Sequence, residues 1–132
     1  MILVDSNVLM YSAGAEHPNK APAVQFLKRV AAGETEATVD AEVLQEIIHR
    51  YRALNRWDEG RKVYEVARGL FPEVLAITGV VMDRAKQLVD EDSTVSARDA
   101  VHAAVVAVYR LEGICTFDGD FDRIRGCVRV AA

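Results

Sequence analysis

A chain of 132 residues, 51% of them hydrophobic and 27% charged, has the size and composition of one globular domain with a buried core. It lacks both the ~18-residue apolar run of a transmembrane helix and the basic-then-apolar start of a signal peptide, so we expect a cytoplasmic protein that enters no membrane. Two cysteines, Cys115 and Cys127, form neither a CxxC pair nor a Cys/His ligand spacing, which leaves zinc and thiol redox chemistry without support.

The net charge of −4 is distributed unevenly along the chain. Residues 49–68 contain six basic and three acidic side chains, a balance of +3 that leaves −7 for the remaining residues. This asymmetry suits a basic ridge that binds a polyanion beside an acidic metal site. A solvated helix with mixed charges gives the same count, so the segment alone does not establish a binding function.

Strand and helix signals alternate along the chain. The N-terminal half is predicted to contain a strand at 1–4, a short helix that Ser6 or Asn7 can cap, a helix at 18–32 ended by Gly33, a strand at 36–39 and a helix at 40–54 capped by Asp40. The C-terminal half is predicted to contain helices at 58–70, 79–90 and 96–111, the last closed by Gly113, and strands at 74–77, 114–117 and 128–130. This alternation predicts a three-layer α/β fold in which helices cover both faces of a central parallel sheet, built as one domain over 1–132.

Acidic residues recur at the junctions between these elements. They are Asp5 after the first strand, Glu46 in the third helix, Asp99 at the start of the last long helix, and Asp118, Asp120 and Asp122 after the 114–117 strand. The carboxyl ends of parallel strands meet at one edge of a sheet, where α/β folds bind ligands. Carboxylates that converge there would raise one another's pKa unless a cation neutralised them, and oxygen ligands favour Mg²⁺ or Mn²⁺ over zinc.

Each of these residues also has a purely structural explanation. Asp5 can be a turn residue, Glu46 can lie on a solvated helix flank, Asp99 completes the capping pattern that Ser96 begins, and Asp118 can form an Asp-Gly turn. A lone histidine in a buried helix is more often packed than catalytic, so His102 is expected to assist the site at most.

The Asp118–Asp122 segment superficially matches the start of an EF-hand calcium loop. Arg123 stands where that loop needs its turn glycine, and Arg129 stands where it needs the bidentate glutamate. Calcium binding of that kind is therefore excluded.

The order of the motifs resembles a PIN-domain ribonuclease and, given the short single domain, most resembles the VapC toxins of prokaryotic toxin–antitoxin pairs. The segments that carry the resemblance are Asp5-Ser6-Asn7 after the apolar strand, Val43-Leu44-Gln45-Glu46-Ile47, Ala97-Arg98-Asp99-Ala100-Val101-His102-Ala103 and Thr116-Phe117-Asp118-Gly119-Asp120-Phe121. The resemblance spans nearly the whole chain.

The resemblance implies an acidic Mg²⁺ or Mn²⁺ site made by Asp5, Glu46, Asp99 and Asp118, with Asp120 as a further acid nearby. Asn7 and Thr116 match family positions that orient the site, and His102 matches a residue often found after the third acid. The choice among Asp118, Asp120 and Asp122 stays open. The implied reaction is hydrolysis of an RNA phosphodiester bond by metal-activated water, with phosphate contacts from Arg50, Arg52, Arg56 and Arg61. The implied partners are RNA, a VapB-type antitoxin and a second copy of the chain in a homodimer.

Two other function classes are weighed against this reading. A haloacid-dehalogenase-type phosphatase needs a second aspartate two residues after Asp5, where this chain has Asn7, and a receiver domain needs an early acidic pair that is absent. A catalytically silent PIN-like module that binds RNA or protein would have no need for the full set of four acids.

Overall fold

The computed structural model describes residues 1–132, and its elements alternate as the sequence predicts. The first half contains β1 (Ile2–Val4), α1 (Ser6–Ala13), α2 (Lys20–Ala31), β2 (Ala37–Asp40), α3 (Ala41–Ala53) and α4 (Trp57–Leu70). The second half contains β3 (Val74–Leu75), α5 (Gly79–Glu91), α6 (Ala97–Val108), β4 (Gly113–Cys115), a 3₁₀ helix (Gly119–Arg123) and β5 (Arg129–Val130).

All five strands are parallel and lie in the order β3-β2-β1-β4-β5. The chain therefore builds the sheet outward from β1 in one direction through β2 and β3, and in the other direction through β4 and β5. Ligands of open α/β sheets bind where the strand order reverses, outside the carboxyl ends of the strands. In this fold that point lies between β1 and β4, directly above Asp5 and Thr116.

The sheet separates two hydrophobic cores, because successive side chains of a strand point to opposite faces. Val4 and Cys115 pack with α1 to α4 on one face. Leu3 and Ile114 pack with α5 and α6 on the other. This arrangement confirms the predicted three-layer α/β architecture with a central parallel sheet.

The helix caps predicted at Asp40 and Ser96 are present in the structure, whereas the prediction for α1 was wrong: Asp5 caps this helix, and Ser6 and Asn7 are its first two residues. Asp40 accepts a hydrogen bond from Val43 N (2.9 Å), and Ser96 accepts one from Asp99 N (3.2 Å). The predicted end of the last helix was wrong: α6 ends at Val108, where Arg110 adopts a positive φ of 57°. Gly113 instead begins β4, where a Cβ would lie 2.3 Å from the carbonyl oxygen of Val128, so β5 could not pair as closely with a larger residue there.

No helix combines the length and apolarity needed to cross a membrane. Both cysteines are free and buried, as a reduced chain requires. Burial raises the pKa of Cys115 to about 12 and that of Cys127 to about 11, so neither thiol is a reactive nucleophile.

Candidate metal centre

Asp5 lies at the centre of the site because β1 ends there and α1 begins with the next residue. Its side chain is nearly buried, at 6% exposure, and its Oδ1 caps α1 by accepting from Ser6 N (2.7 Å). The Thr116 hydroxyl, at the end of β4, donates to Asp5 Oδ2 (2.7 Å). Asn7, the second residue of α1, donates to Thr116 Oγ1 (3.0 Å) and to Asp5 Oδ2 (3.3 Å). The adjacency of β1 and β4 thus fixes the orientation of this carboxylate.

A second network joins Asp5 to the acids of β2 and α3. His102 on α6 is buried, at 1% exposure, and donates through Nδ1 to Asp40 Oδ2 (2.7 Å) and through Nε2 to Glu46 Oε1. The same Nε2 lies 3.9 Å from Asp5 Oδ1. We call Asp5, Glu46 and His102 the inner group; their potential ligand atoms all lie within 4.8 Å of one another.

Asp99, Asp118 and Asp120 form a second cluster, here called the outer group, with ligand atoms also within 4.8 Å of one another. Asp99 and Asp118 are half-buried and Asp120 is exposed. Asp118 begins the 3₁₀ helix and accepts from Asp120 N (2.9 Å), which holds the two acids together. Thr116 Oγ1 accepts from Asp118 N (3.0 Å), so one hydroxyl links the outer group to Asp5.

The pKa shifts follow from burial and from the proximity of the acids. Burial and then the charge of Glu46 raise the pKa of Asp5, although His102 and Thr116 oppose the shift. Burial and then the charges of Asp118 and Asp5 raise the pKa of Asp99. The dependence of Asp99 on Asp5 places the two groups within electrostatic range of each other.

The inner histidine is held in its charged form despite its surroundings. Burial is the largest influence on His102 and disfavours the charge. Hydrogen bonds to Asp40 and Glu46, together with the charges of Asp40 and Asp5, outweigh burial and raise the pKa of His102 well above 6.5. The imidazolium therefore neutralises part of the inner negative charge.

The sequence-predicted residues separate into those that converge and those that do not. Asp5 and Glu46 meet at His102, and Asp99, Asp118 and Asp120 meet in a second cluster. Thr116, which Asn7 contacts, links Asp5 to Asp118 through its hydroxyl. Asp122 does not join them, because Arg129 holds both of its oxygens at 3.0 and 2.9 Å.

The four arginines of the predicted basic ridge are all exposed. Arg56 pairs with Glu59 (2.6 Å) and Arg61 with Asp58 (3.4 Å), both within α4 or at its start. Arg50 and Arg52 form no ion pair.

Two contributors were missed at the sequence level. Asp40 was predicted only as a cap, but its second oxygen anchors His102; the available signal was that Asp40 follows a strand just as Asp5 does. Ser6 was predicted only as a possible cap, but its hydroxyl lies 3.3 Å from Glu46 Oε2 and 3.4 Å from Asp5 Oδ1.

The donor chemistry fits a hard divalent cation. The outer group offers carboxylate oxygens only, and the Thr116 hydroxyl links it to the Asp5 carboxylate of the inner group. Like charges brought this close are stabilised by a cation, and oxygen-rich sites favour Mg²⁺ or Mn²⁺. No buried side-chain polar atom lacks a hydrogen-bond partner, so the site is preorganised rather than strained for want of partners.

The chain matches a known family model and several named relatives. The family model of the PIN domain matches residues 2–126. A VapC ribonuclease of Mycobacterium bovis and ribonuclease VapC13 of Mycobacterium tuberculosis are each 40% identical over 131 residues, which covers 99% of this chain and 100% of each relative.

Solved structures agree on the fold. VapC20 of M. tuberculosis, described as a toxin that cleaves the sarcin–ricin loop, aligns with a TM-score of 0.73 at 22% identity over 100% of both chains. VapBC2 of Rickettsia felis, solved with a promoter DNA fragment, aligns with a TM-score of 0.77 at 13% identity over 100% of this chain and 99% of that one. A toxin–antitoxin complex from Klebsiella pneumoniae aligns with a TM-score of 0.68 at 20% identity over 97% and 96% of the two chains.

Proposed function

This chain belongs to the PIN-domain family and, within it, to the VapC ribonucleases, and from that premise we propose that it is a single-domain, metal-dependent endoribonuclease that acts as the toxin of a toxin–antitoxin pair. The observation that carries the proposal is that five carboxylates lie in two clusters, which the Thr116 hydroxyl links at the switch point of the sheet. A structural role for each acid would not require them to meet.

The carboxylates would hold Mg²⁺ or Mn²⁺, with Asp99, Asp118 and Asp120 as the principal ligands and Asp5 and Glu46 contributing to the same site. Such an ion activates water at neutral pH and stabilises charge on the phosphate oxygens. Asp5 is presented to the ion in one orientation because Ser6 N, Thr116 and Asn7 hold its two oxygens. His102 keeps Glu46 directed at the centre and lowers the repulsion among the inner acids.

RNA would be bound by the exposed arginines of α3 and α4. Arg50 and Arg52 are free to contact phosphates. Arg56 and Arg61 would exchange exposed ion pairs for phosphate contacts, an exchange that costs little because surface pairs are weak. Binding through such contacts should weaken as the salt concentration rises.

The same premise extends to partners and location. We propose a VapB-type antitoxin as inhibitor, a homodimer as the assembled state, and the cytoplasm as the compartment. Solved relatives include toxin–antitoxin complexes, which supports the first of these.

The test uses the purified chain, separated from any antitoxin, with total RNA and Mg²⁺. Asp5→Asn and Asp99→Asn proteins are prepared identically, and Asp122→Asn serves as the matched control because that acid lies outside both groups. Discrete cleavage by the wild type and the control alone, abolished by EDTA, supports the nuclease. Equal cleavage by all four proteins would reveal a contaminating ribonuclease. Absence of cleavage across a range of RNAs would support a module that binds RNA or protein without cutting.

A further inference from the structure

A groove opens beside the metal centre, between α1 and the junction of α3 with α4. It encloses about 350 Å³, which is within the range of small-ligand sites. Its lining residues are Asn7, Met10, Tyr11, Gly14, Ala15, Arg50, Tyr51, Leu54, Arg56 and Glu59. The groove is therefore lined by both apolar side chains and arginines.

The groove is continuous with the metal centre through one face of α1. Asn7, Met10 and Tyr11 have the spacing i, i+3, i+4 and so lie in one row along that helix, which Gly14 follows at its C-terminal end. At about 1.5 Å per residue the row and Gly14 together extend roughly 10 Å away from the site. The first member of the row, Asn7, hydrogen-bonds Asp5, so a ligand in the groove would touch a residue that orients the central carboxylate.

Apolar side chains line the groove, and ring contacts fix the position of one of them, Tyr11. The Tyr11 ring contacts the edge of Phe117, with centroids 5.3 Å apart, and lies 4.6 Å from the His17 ring. Leu54, which caps the C-terminus of α3 and also lines the groove, is 43% exposed although it is a large apolar residue. Exposed apolar surface together with a fixed aromatic ring suits a flat, partly apolar ligand such as a nucleobase.

The charges at the rim favour an anionic ligand. Arg50 is exposed and makes no ion pair, whereas Arg56 is held through Nε and Nη2 by Glu59 (3.0 and 2.6 Å). Arg52, two residues further along α3, does not line the groove. A guanidinium that makes no ion pair can bind a phosphate group beside an acidic centre whose carboxylates would repel that group.

We propose that this groove is a nucleotide subsite: it takes the base of a nucleotide adjacent to the scissile phosphate, and Arg50 binds that nucleotide's phosphate. The inference rests on the proposed ribonuclease function and deepens it by assigning substrate selection to α1 and the end of α3. A peptide segment is the less favoured occupant, because the groove leads directly to the metal centre and carries an unpaired arginine.

The test begins by mapping the cleavage site in total RNA and copying it into a short synthetic oligoribonucleotide. Each nucleotide flanking the cut is then replaced, one at a time, by an abasic ribose. Loss of the base at one adjacent position should lower kcat/KM of the wild type about tenfold, the size expected for one base packed on an aromatic wall. In Leu54→Ser the same replacement should cost only about threefold, because the base has already lost a wall. Val80→Ser on α5, which is 64% exposed and outside the groove, should retain both full activity and the tenfold penalty.

A second pair of variants tests the arginine. Arg50→Gln and Arg52→Gln remove the same charge from the same helix, so both reduce the general attraction of RNA. Arg50→Gln should lower kcat/KM several-fold more than Arg52→Gln, because only Arg50 lines the groove. Equal losses of kcat/KM would mean that Arg50 contributes only general positive charge, and they would overturn the phosphate contact assigned to it.

The outcomes separate the subsite from the function on which it rests. Cleavage by the wild type without any abasic penalty, or with an equal penalty in Leu54→Ser, overturns the subsite and leaves the ribonuclease in place. Absence of cleavage of every RNA overturns both. If Leu54→Ser cuts RNA as the wild type does but escapes inhibition by the cognate antitoxin, the groove is a protein-docking surface and the nucleotide assignment is wrong.

Discussion

The inner and outer groups bring acids together in the same site but compensate their charge differently. In the inner group, His102 lies between Asp40 and Glu46, so a buried imidazolium neutralises the acids from within the protein. In the outer group, Asp99 and Asp118 have no basic partner, and only the exposed Asp120 pairs with a cation, Arg123 (3.1 Å). The inner acids have a cationic partner within the protein, whereas Asp99 and Asp118 of the outer group have none.

This difference assigns different functions to the two groups. Buried charges must be paired, so the inner network is part of what makes the fold stable and fixes the direction of Glu46. The repulsion among the half-exposed carboxylates of the outer group can be relieved only by a cation bound from solution. We therefore expect stability to depend mainly on the inner group and metal affinity mainly on the outer one.

Removing the anchor of the inner group should have the largest effect. Asp40 is 0% exposed, and Asp40→Ala removes both the cap of α3 and the partner of His102. The free energy of unfolding, measured by urea denaturation, should fall by about 3–5 kcal/mol because a buried charge loses its partner.

Two variants isolate the ion-pair part of that loss. Thr78→Ala removes only a helix cap, the one that accepts from Val81 N, and should cost about 1 kcal/mol. Asp40→Asn keeps a capping side chain but not the charge and should fall between the two. If Asp40→Ala costs no more than Thr78→Ala, the Asp40–His102 pair does not stabilise the fold and the proposed contrast fails.

Metal affinity should distinguish the groups in the opposite sense. Asp118→Asn replaces a charged carboxylate that has no cationic partner by a neutral amide, so Mn²⁺ affinity, measured by calorimetry, should weaken roughly 100-fold. Glu46→Gln neutralises a carboxylate already engaged by His102 and should weaken Mn²⁺ binding only about tenfold, as for residues that act through the ligands. The reverse ranking would place the ion in the inner group.

Sequence reasoning recovered one side of this contrast better than the other. The strand periodicity, the caps at Asp40 and Ser96, and the rule that strand ends share an edge depend on local pattern or on fold class, and they placed Asp5 and Asp118 at the same edge of the sheet, where Thr116 links them. The inner network joins residues that lie 62 and 56 positions apart in the chain, and no local period connects them. The end of α6 was mispredicted for a related reason: Gly113 is the locally expected stop, but the pairing of β4 with β5 claims it.

The pH dependence of the metal-free protein should contain a contribution from Asp99 of the outer group. Burial and neighbouring acids raise the pKa of Asp99 above 3.8, so in the interval above 3.8 the folded state binds more protons than the unfolded state. Stability then falls as the pH rises through that interval. Urea unfolding in EDTA should show a smaller fall for Asp99→Asn, and Mg²⁺ should restore more stability to the wild type than to the variant at neutral pH. Superimposable pH profiles would mean that the repulsion at Asp99 is too weak to matter.

The smallest effect is expected at the acid nearest in sequence to the outer group but outside it. Asp122 is exposed, and its hydrogen bonds to Arg129 lower its pKa, so it enters its ion pair readily and has no oxygen to spare for an ion. Asp122→Asn should leave Mn²⁺ affinity and RNA cleavage within about twofold of wild type, because an exposed ion pair contributes little. Asp120, two residues earlier, is also exposed and also paired with an arginine, yet its oxygens lie within the outer group, so Asp120→Asn should weaken Mn²⁺ binding measurably. If the two substitutions behave alike, membership of the outer group is not what gives an acid at this turn its function.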